Sequence, residues 1–398
     1  MRVSTNQINM RAVNSMLDQQ TKLSEIQNQL ASGKKIASPS DDPIGAGKSL
    51  NINQSISVTE QYQDNLDVAK SRLHLEESTM EAMTLALNRV RELAVQGNNA
   101  SRSDNDRSLI AQEMQGNLDD LISLANTRDS NGEYIYAGFQ GLTQPFSRDT
   151  SGGFTYSGDD GQRLIQIGPS RTIVLGDSGR DVFLEIRNGN GYFSVGDNLA
   201  NTGSGIIDSG SLANGAAWNQ ETYTISFLTD TTFEVRDSGG SLVLSDNYVE
   251  EALISFAGVN TNIKGTPLSG DSFTVSPSKN QDMFTTVQKI IDSFEAPTSG
   301  TGGTAALNNS VNRFFTDVDQ SLDNIHSVRA GVGARLNSLD SQKGLNDVQI
   351  INNQQSLSEL MDIDYIQAIS DLNLQKIGLE AAQKSYMKIQ GLSLFNYL

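Results

Sequence analysis

Apolar side chains recur at helical spacing over both ends of the chain and at strand spacing in the middle. Between residues 5 and 31, Met10, Val13, Met16, Leu17, Leu23, Ile26 and Leu30 fall on one helical face. The opposite face is amide-rich, with nine Asn or Gln in the first 32 residues. Such a helix has few charge pairs and only a narrow stripe to bury, so its stability must come from a partner surface. Gly33 followed by Lys34 and Lys35 reads as its stop. Ser38-Pro39-Ser40-Asp41-Asp42-Pro43 is a loop in which Asp42 can cap the next helix and Pro43 suits its first turn.

The next helix carries the clearest period. Ile52, Thr59, Leu66, Leu73, Met80, Leu87 and Ala94 fall at steps of seven, and Tyr62, Ala69, Glu76, Met83 and Val90 fill the second seam position. This is a coiled-coil seam with one charged interruption, Glu76. A break at Gly97–Ser103 precedes a helix with Ile110, Met114, Leu118, Leu121 and Ala125 inward. Helix returns at Phe284, Val287, Ile291 and Phe294, and Pro297–Gly303 reads as a flexible break. A second seam follows through Val311, Val318, Ile325, Val332 and Leu339. The two seams are each other's simplest partner. A last helix holds Leu357, Leu360, Ile363, Ile366, Ile369, Leu374, Ile377 and Ala381, and the chain closes on apolar Leu392–Leu398.

Between 151 and 280 the period changes to two, as in Tyr223-Thr224-Ile225-Ser226-Phe227, and 19 of the 35 glycines fall there. Strands are predicted at 163–167, 172–175, 182–186, 222–227, 232–235, 241–244 and 272–275, with turns at Asn188-Gly189, Asn190-Gly191 and Ser238-Gly239-Gly240. The expected fold class is α+β: an elongated molecule whose N- and C-terminal helices pair into a coiled-coil bundle carrying an inserted antiparallel β domain. The expected parts are 1–42 with 350–398 as paired terminal helices, 43–145 with 280–349 as a helical bundle, and 146–279 as the β insert. A short linker is expected to replace 145–278 without unfolding the bundle.

Composition narrows function. The net charge of −18 argues against nucleic acid and against an anionic membrane surface. The β region holds seven basic and fifteen acidic residues, so it is expected to face solvent. There is no cysteine, hence no disulfide or thiolate site. The first residues lack the apolar run of a cleaved signal peptide, and no segment is apolar for the ~18 residues that a membrane span requires.

Catalytic chemistry finds no residues. His74 and His326 each stand alone on a predicted helix, without the second ligand a metal needs. Gly203-Ser204-Gly205 lacks the context of a dinucleotide loop. Asp159-Asp160-Gly161 reads as a turn, and Asp362 with Asp364 as a helix cap. No enzymatic activity, cofactor or metal is expected. An adhesin or glycan binder is a further alternative, placing function in the β region. It lacks an aromatic groove, and the only tryptophan, Trp218, reads as core.

Leu30-Ala31-Ser32-Gly33-Lys34-Lys35-Ile36 through Pro43, Leu87–Gln96, and Asp362-Ile363-Asp364-Tyr365 to the terminus resemble the helical ends of the bacterial flagellin family. Ser38–Pro43 and Asn131-Gly132-Glu133-Tyr134-Ile135-Tyr136-Ala137-Gly138-Phe139 resemble a hook–filament junction member more than a filament flagellin. The resemblance covers about 1–140 and 280–398. It implies a structural subunit joining hook to filament as an adaptor ring on which flagellin assembles, with filament flagellin as the alternative. Its implied partners are identical subunits, flagellin, a neighbouring hook-associated protein and an export chaperone. It also implies an extracellular location reached through the flagellar type III apparatus. The candidate assembly residues are Met10, Val13, Leu17, Leu23, Ile26, Leu30, Leu357, Leu360, Ile363, Ile366, Leu394 and Phe395.

Overall fold

The computed structural model describes residues 5–149, 152–298 and 300–390. Six α-helices are found there: α1 Thr5–Ser32, α2 Pro43–Gly97, α3 Asp104–Ala125, α4 Met283–Glu295, α5 Gly300–Met361 and α6 Tyr365–Gln390. The chain forms two compact units, one of residues 1–65 with 341–398 and a larger one of residues 66–340. Helices α2 and α5 contribute to both.

In the larger unit the two predicted seams meet. Leu73, Met80, Leu87, Val311, Val318, Ile325, Val332 and Leu339 share one buried cluster with Met114, Leu118 and Leu121 of α3 and Phe284, Val287 and Ile291 of α4. Ion pairs set the register and show the helices antiparallel: Lys70–Asp340 (2.7 Å), Arg329–Glu77 (2.7 Å) and Arg91–Asp319 (2.9 Å). Ser103 begins α3 as half of a reciprocal capping box with Asp106.

The strands are short. Hairpins pair β1 Phe146–Arg148 with β2 Phe154–Tyr156, and β3 Leu164–Gly168 with β4 Arg171–Val174. Then come β5 Phe193–Asp197, β6 Ile206–Ile207, β7 Ser211–Leu212, β8 Tyr223–Thr229, β9 Thr232–Arg236, β10 Leu242–Asn247, β11 Ile254–Phe256, β12 Val259–Thr261, β13 Ile263–Lys264 and β14 Ser272–Pro277. The main sheet has the order β10-β9-β8-β14-β5, antiparallel throughout. Its alternating inward residues, Tyr223, Ile225, Phe227, Phe233, Val235, Phe273 and Val275, form a second core with Trp218, as expected for that tryptophan.

Residues 146–186 behave differently. Phe146, Ile167, Ile173, Val182, Phe183 and Ile186 belong to the bundle core. Phe183 stacks on Phe284 at 5.5 Å, and Phe146 meets Phe284 at 5.2 Å. The predicted strand at 182–186 is instead a π-helical turn, Arg180–Leu184. Val182 and Phe183 are adjacent and both buried, which one face of a strand cannot satisfy. Asn324 on α5 holds the turn by donating to the Asp181 and Val182 carbonyls. The predicted flexible break at 297–303 is also corrected. Helix α5 starts at Gly300, and Thr298 is fixed by the buried Arg107, whose Nη1 donates to its Oγ1 at 2.8 Å. Gly302 lets the first turn approach backbone: an added Cβ would lie 2.6 Å from the Asn201 carbonyl oxygen.

Candidate assembly surface

In the smaller unit, α1 and α6 are joined at one end by a short antiparallel bridge. Lys35 N–H donates to Met361 O (2.7 Å), and Ile363 N–H donates to Gly33 O (3.1 Å). Gly33 closes α1 at φ +70°, a conformation costly for a residue with Cβ, and the Tyr365 hydroxyl would sit 3.0 Å from one. The predicted continuous last helix is therefore two helices. Asp364 caps the second by accepting from Ile366 N–H (2.9 Å) and Gln367 N–H (3.1 Å). At the start of α2, Asp42 caps as read from the sequence, accepting from Ile44 and Gly45 N–H.

Of the candidate residues, Leu23, Ile26 and Leu30 lie half-buried on α1. Met10, Val13 and Leu17 are exposed. Leu357 and Leu360 are half-buried in the last turns of α5, and Ile363 in the bridge. Ile366 is 86% exposed on α6. Leu394 and Phe395 lie outside the described residues. Leu360 and Ile366 thus sit on different helices.

Helix α6 has two apolar faces. Ala368, Leu372, Gln375, Gly378, Leu379, Ala382 and Tyr386 are its covered residues among those described, and α1 is the helix it packs against. On the opposite side of the turn, Ile366 and Ile377 align eleven residues apart, with Ile369 and Leu374 on their flanks. All four are at least half exposed. Between α1 and α6, Val13, Met16, Leu17, Leu379, Tyr386 and Met387 line an open groove of about 430 Å³. Helices α2 and α5 leave Ile44, Leu50, Val58, Leu345, Val348 and Ile351 exposed in the same unit. The candidate set omits these and also Ile369, Leu374 and Ile377. The detectable signal was an apolar residue off the seam of a helix whose seam was already matched. This surface offers non-directional burial; the arrangement fits docking of helices.

Comparison with known proteins agrees with this arrangement. Residues 3–141 match the bacterial flagellin N-terminal helical region, and residues 315–398 match the bacterial flagellin C-terminal helical region. The flagellar hook-associated protein 3 of Escherichia coli K12 is 26% identical over 399 residues, covering 99% of both chains. The crystal structure of hook-associated protein 3 from Legionella pneumophila is 34% identical, covers 78% of this chain and 98% of its own, and superposes with a TM-score of 0.75. That of Xanthomonas campestris FlgL is 30% identical, covers 77% and 99%, and gives 0.73. The chain belongs to the flagellin family and, within it, to the hook-associated protein 3 group. It is a structural subunit of the bacterial flagellum that joins hook to filament, and the match through the middle of the chain favours this role over filament flagellin.

Proposed function

We propose that the junction is built by covering the bare face of α6, with α1 beside it, by helices of neighbouring subunits. The observation that carries this reading is the second apolar face of α6, opposite the one that meets α1. Burying an Ile or Leu contributes roughly 1.5–3 kcal/mol. Four such residues repeated in every subunit make a strong, non-directional adhesive. In this reading residues 1–42 with 350–398 are the assembly core and 43–145 with 280–349 the wall. Of residues 146–279 only those beyond 186 form the outward part, because 146–186 pack into the bundle core. Identical copies close a ring, a neighbouring hook-associated protein borders it on the hook side, and flagellin adds on the other. An export chaperone shields the apolar C-terminal segment before passage through the type III apparatus to the cell exterior.

The test is Ile366→Asp in a strain carrying only this variant. A carboxylate on a face that becomes buried adds a desolvation penalty of several kcal/mol. The expected result is a folded, secreted subunit that does not stay on the hook, with flagellin shed into the medium. Normal filaments on these cells would refute the reading.

A further inference from the structure

The charged interruption of the α2 seam is not at the surface. Glu76 is 1% exposed. Its Oε1 accepts from the Asp177 N–H at 2.9 Å, whereas its Oε2 has no hydrogen-bond partner. A Cβ on Gly176 would lie 3.5 Å from Oε2, 3.7 Å from the Ile135 carbonyl oxygen and 3.9 Å from Arg72 Nε, so these three atoms surround one small notch.

The charges around Glu76 are matched in number, although Arg72 Nε at the same notch also has no hydrogen-bond partner. On α2, Arg72 pairs with Asp129 (2.6 Å) and reaches Glu133 (3.6 Å) from the turn after α3. Glu133 also pairs with Arg163 at the edge of β3. Asp177 pairs with Arg335 of α5, and Glu77 with Arg329 of α5 (2.7 Å). Four guanidinium groups therefore face four carboxylates, and Glu76 is the odd carboxyl. The remaining titratable neighbour is Tyr136, whose buried hydroxyl has no partner and whose pKa is pushed well up by burial and by the nearby carboxylates. An ionised Glu76 would be a buried charge in excess, and burial without a partner is costly.

We propose that Glu76 is a proton-operated joint: it carries its proton at neutral pH, and its ionisation loosens the 175–178 segment from α2. That segment leads directly into the π-turn whose Val182 and Phe183 fill the bundle core, so the loosening passes to the contact between hairpins and bundle. Burial is the main cause holding the carboxyl up at about 8, and the Asp177 charge adds to it; the Asp177 N–H, Arg335 and Arg72 oppose both. The folded state then retains a proton that the unfolded chain gives up near 4.5. Stability from this group is complete below that pH, falls as pH rises toward about 8, and is lost above it.

The experiment is thermal melting of the full chain and of Glu76→Gln from pH 5 to 9. The neutral amide keeps the shape without the charge. The advantage of the Gln variant over the native chain should widen with pH up to about 8 and then stay constant. A difference that is independent of pH, or that widens toward acid, overturns the proposal. Should the variant fail to fold, carbon-13 spectra of the native chain labelled at Glu carboxyls decide. One carboxyl titrating near 8 is the expected result, and every carboxyl titrating below about 6 refutes it.

Discussion

The larger unit holds two buried cores, whereas the smaller one buries only Ile36, Ile56 and Ala368 among its described apolar residues. The smaller unit nevertheless contributes half of the large apolar side chains left exposed, with well under half of the residues. Both units are made of long amphipathic helices. The difference is that seam residues of α2 and α5 in residues 66–340 find each other, while α6 keeps an apolar face with no counterpart among the described residues. The larger unit is therefore stabilised by its own contacts. In the proposed junction the smaller one gains most of its burial from other chains.

This contrast can be broken by excision. Asn188 N–H donates to the Lys279 carbonyl at 3.0 Å, so the stem of the main sheet is already closed. Replacing 190–277 with a short Gly/Ser linker should remove the second core and leave the bundle melting cooperatively. Extending the cut back to 145 should abolish that transition, against the expectation from the sequence, because it strips Phe146, Ile167 and Phe183 from the bundle core. Circular dichroism melts of the two deletions distinguish these outcomes. If both unfold alike, the hairpins and the sheet are one cooperative unit.

Single substitutions grade the same difference. Phe284→Ala, in the aromatic cluster with Phe146 and Phe183, should cost about 3–5 kcal/mol by denaturant unfolding. Ser103→Ala removes half of the α3 capping box and should cost ~1 kcal/mol. Ile377→Ser, on the bare face of α6, should change the stability of the isolated subunit by less than about 0.5 kcal/mol. A loss above 2 kcal/mol there would mean that the face is part of the monomer's core.

The helices α2 and α5 and their pairing were legible in the sequence because heptad seams repeat over many turns, whereas the packing of α3 on α4 was not read. Four strands of the main sheet were legible in the sequence, as in 223–227, but its edge strand β5, Phe193–Asp197, was not. Short strands such as Ile206–Ile207 and Ile263–Lys264 carry too few residues to show a period. The π-turn was misread because Val-Phe-Leu favours strands in isolation, and only the packing of two adjacent side chains into the bundle reverses that preference. The break between α5 and α6 contains neither Gly nor Pro, so the apolar period ran through it. The cap formed by Asp364 was visible, but the division it marks was not. Ile366 was a candidate, but the rest of the bare face escaped because apolar residues on opposite sides of one helix look like a single helix-wide stripe. Only the position of α1 shows which side is covered.

The central claim is that Ile366 is open in the subunit and covered in the junction. The chain has no cysteine, so Ile366→Cys gives a single reactive site, with Val249→Cys on the exposed β region as its control. Maleimide labelling rates are measured on the purified subunit and on isolated flagella. Both cysteines should react fast in the subunit, and only Cys at 366 should become protected in flagella. Equal reactivity at 366 in the two states would contradict the account.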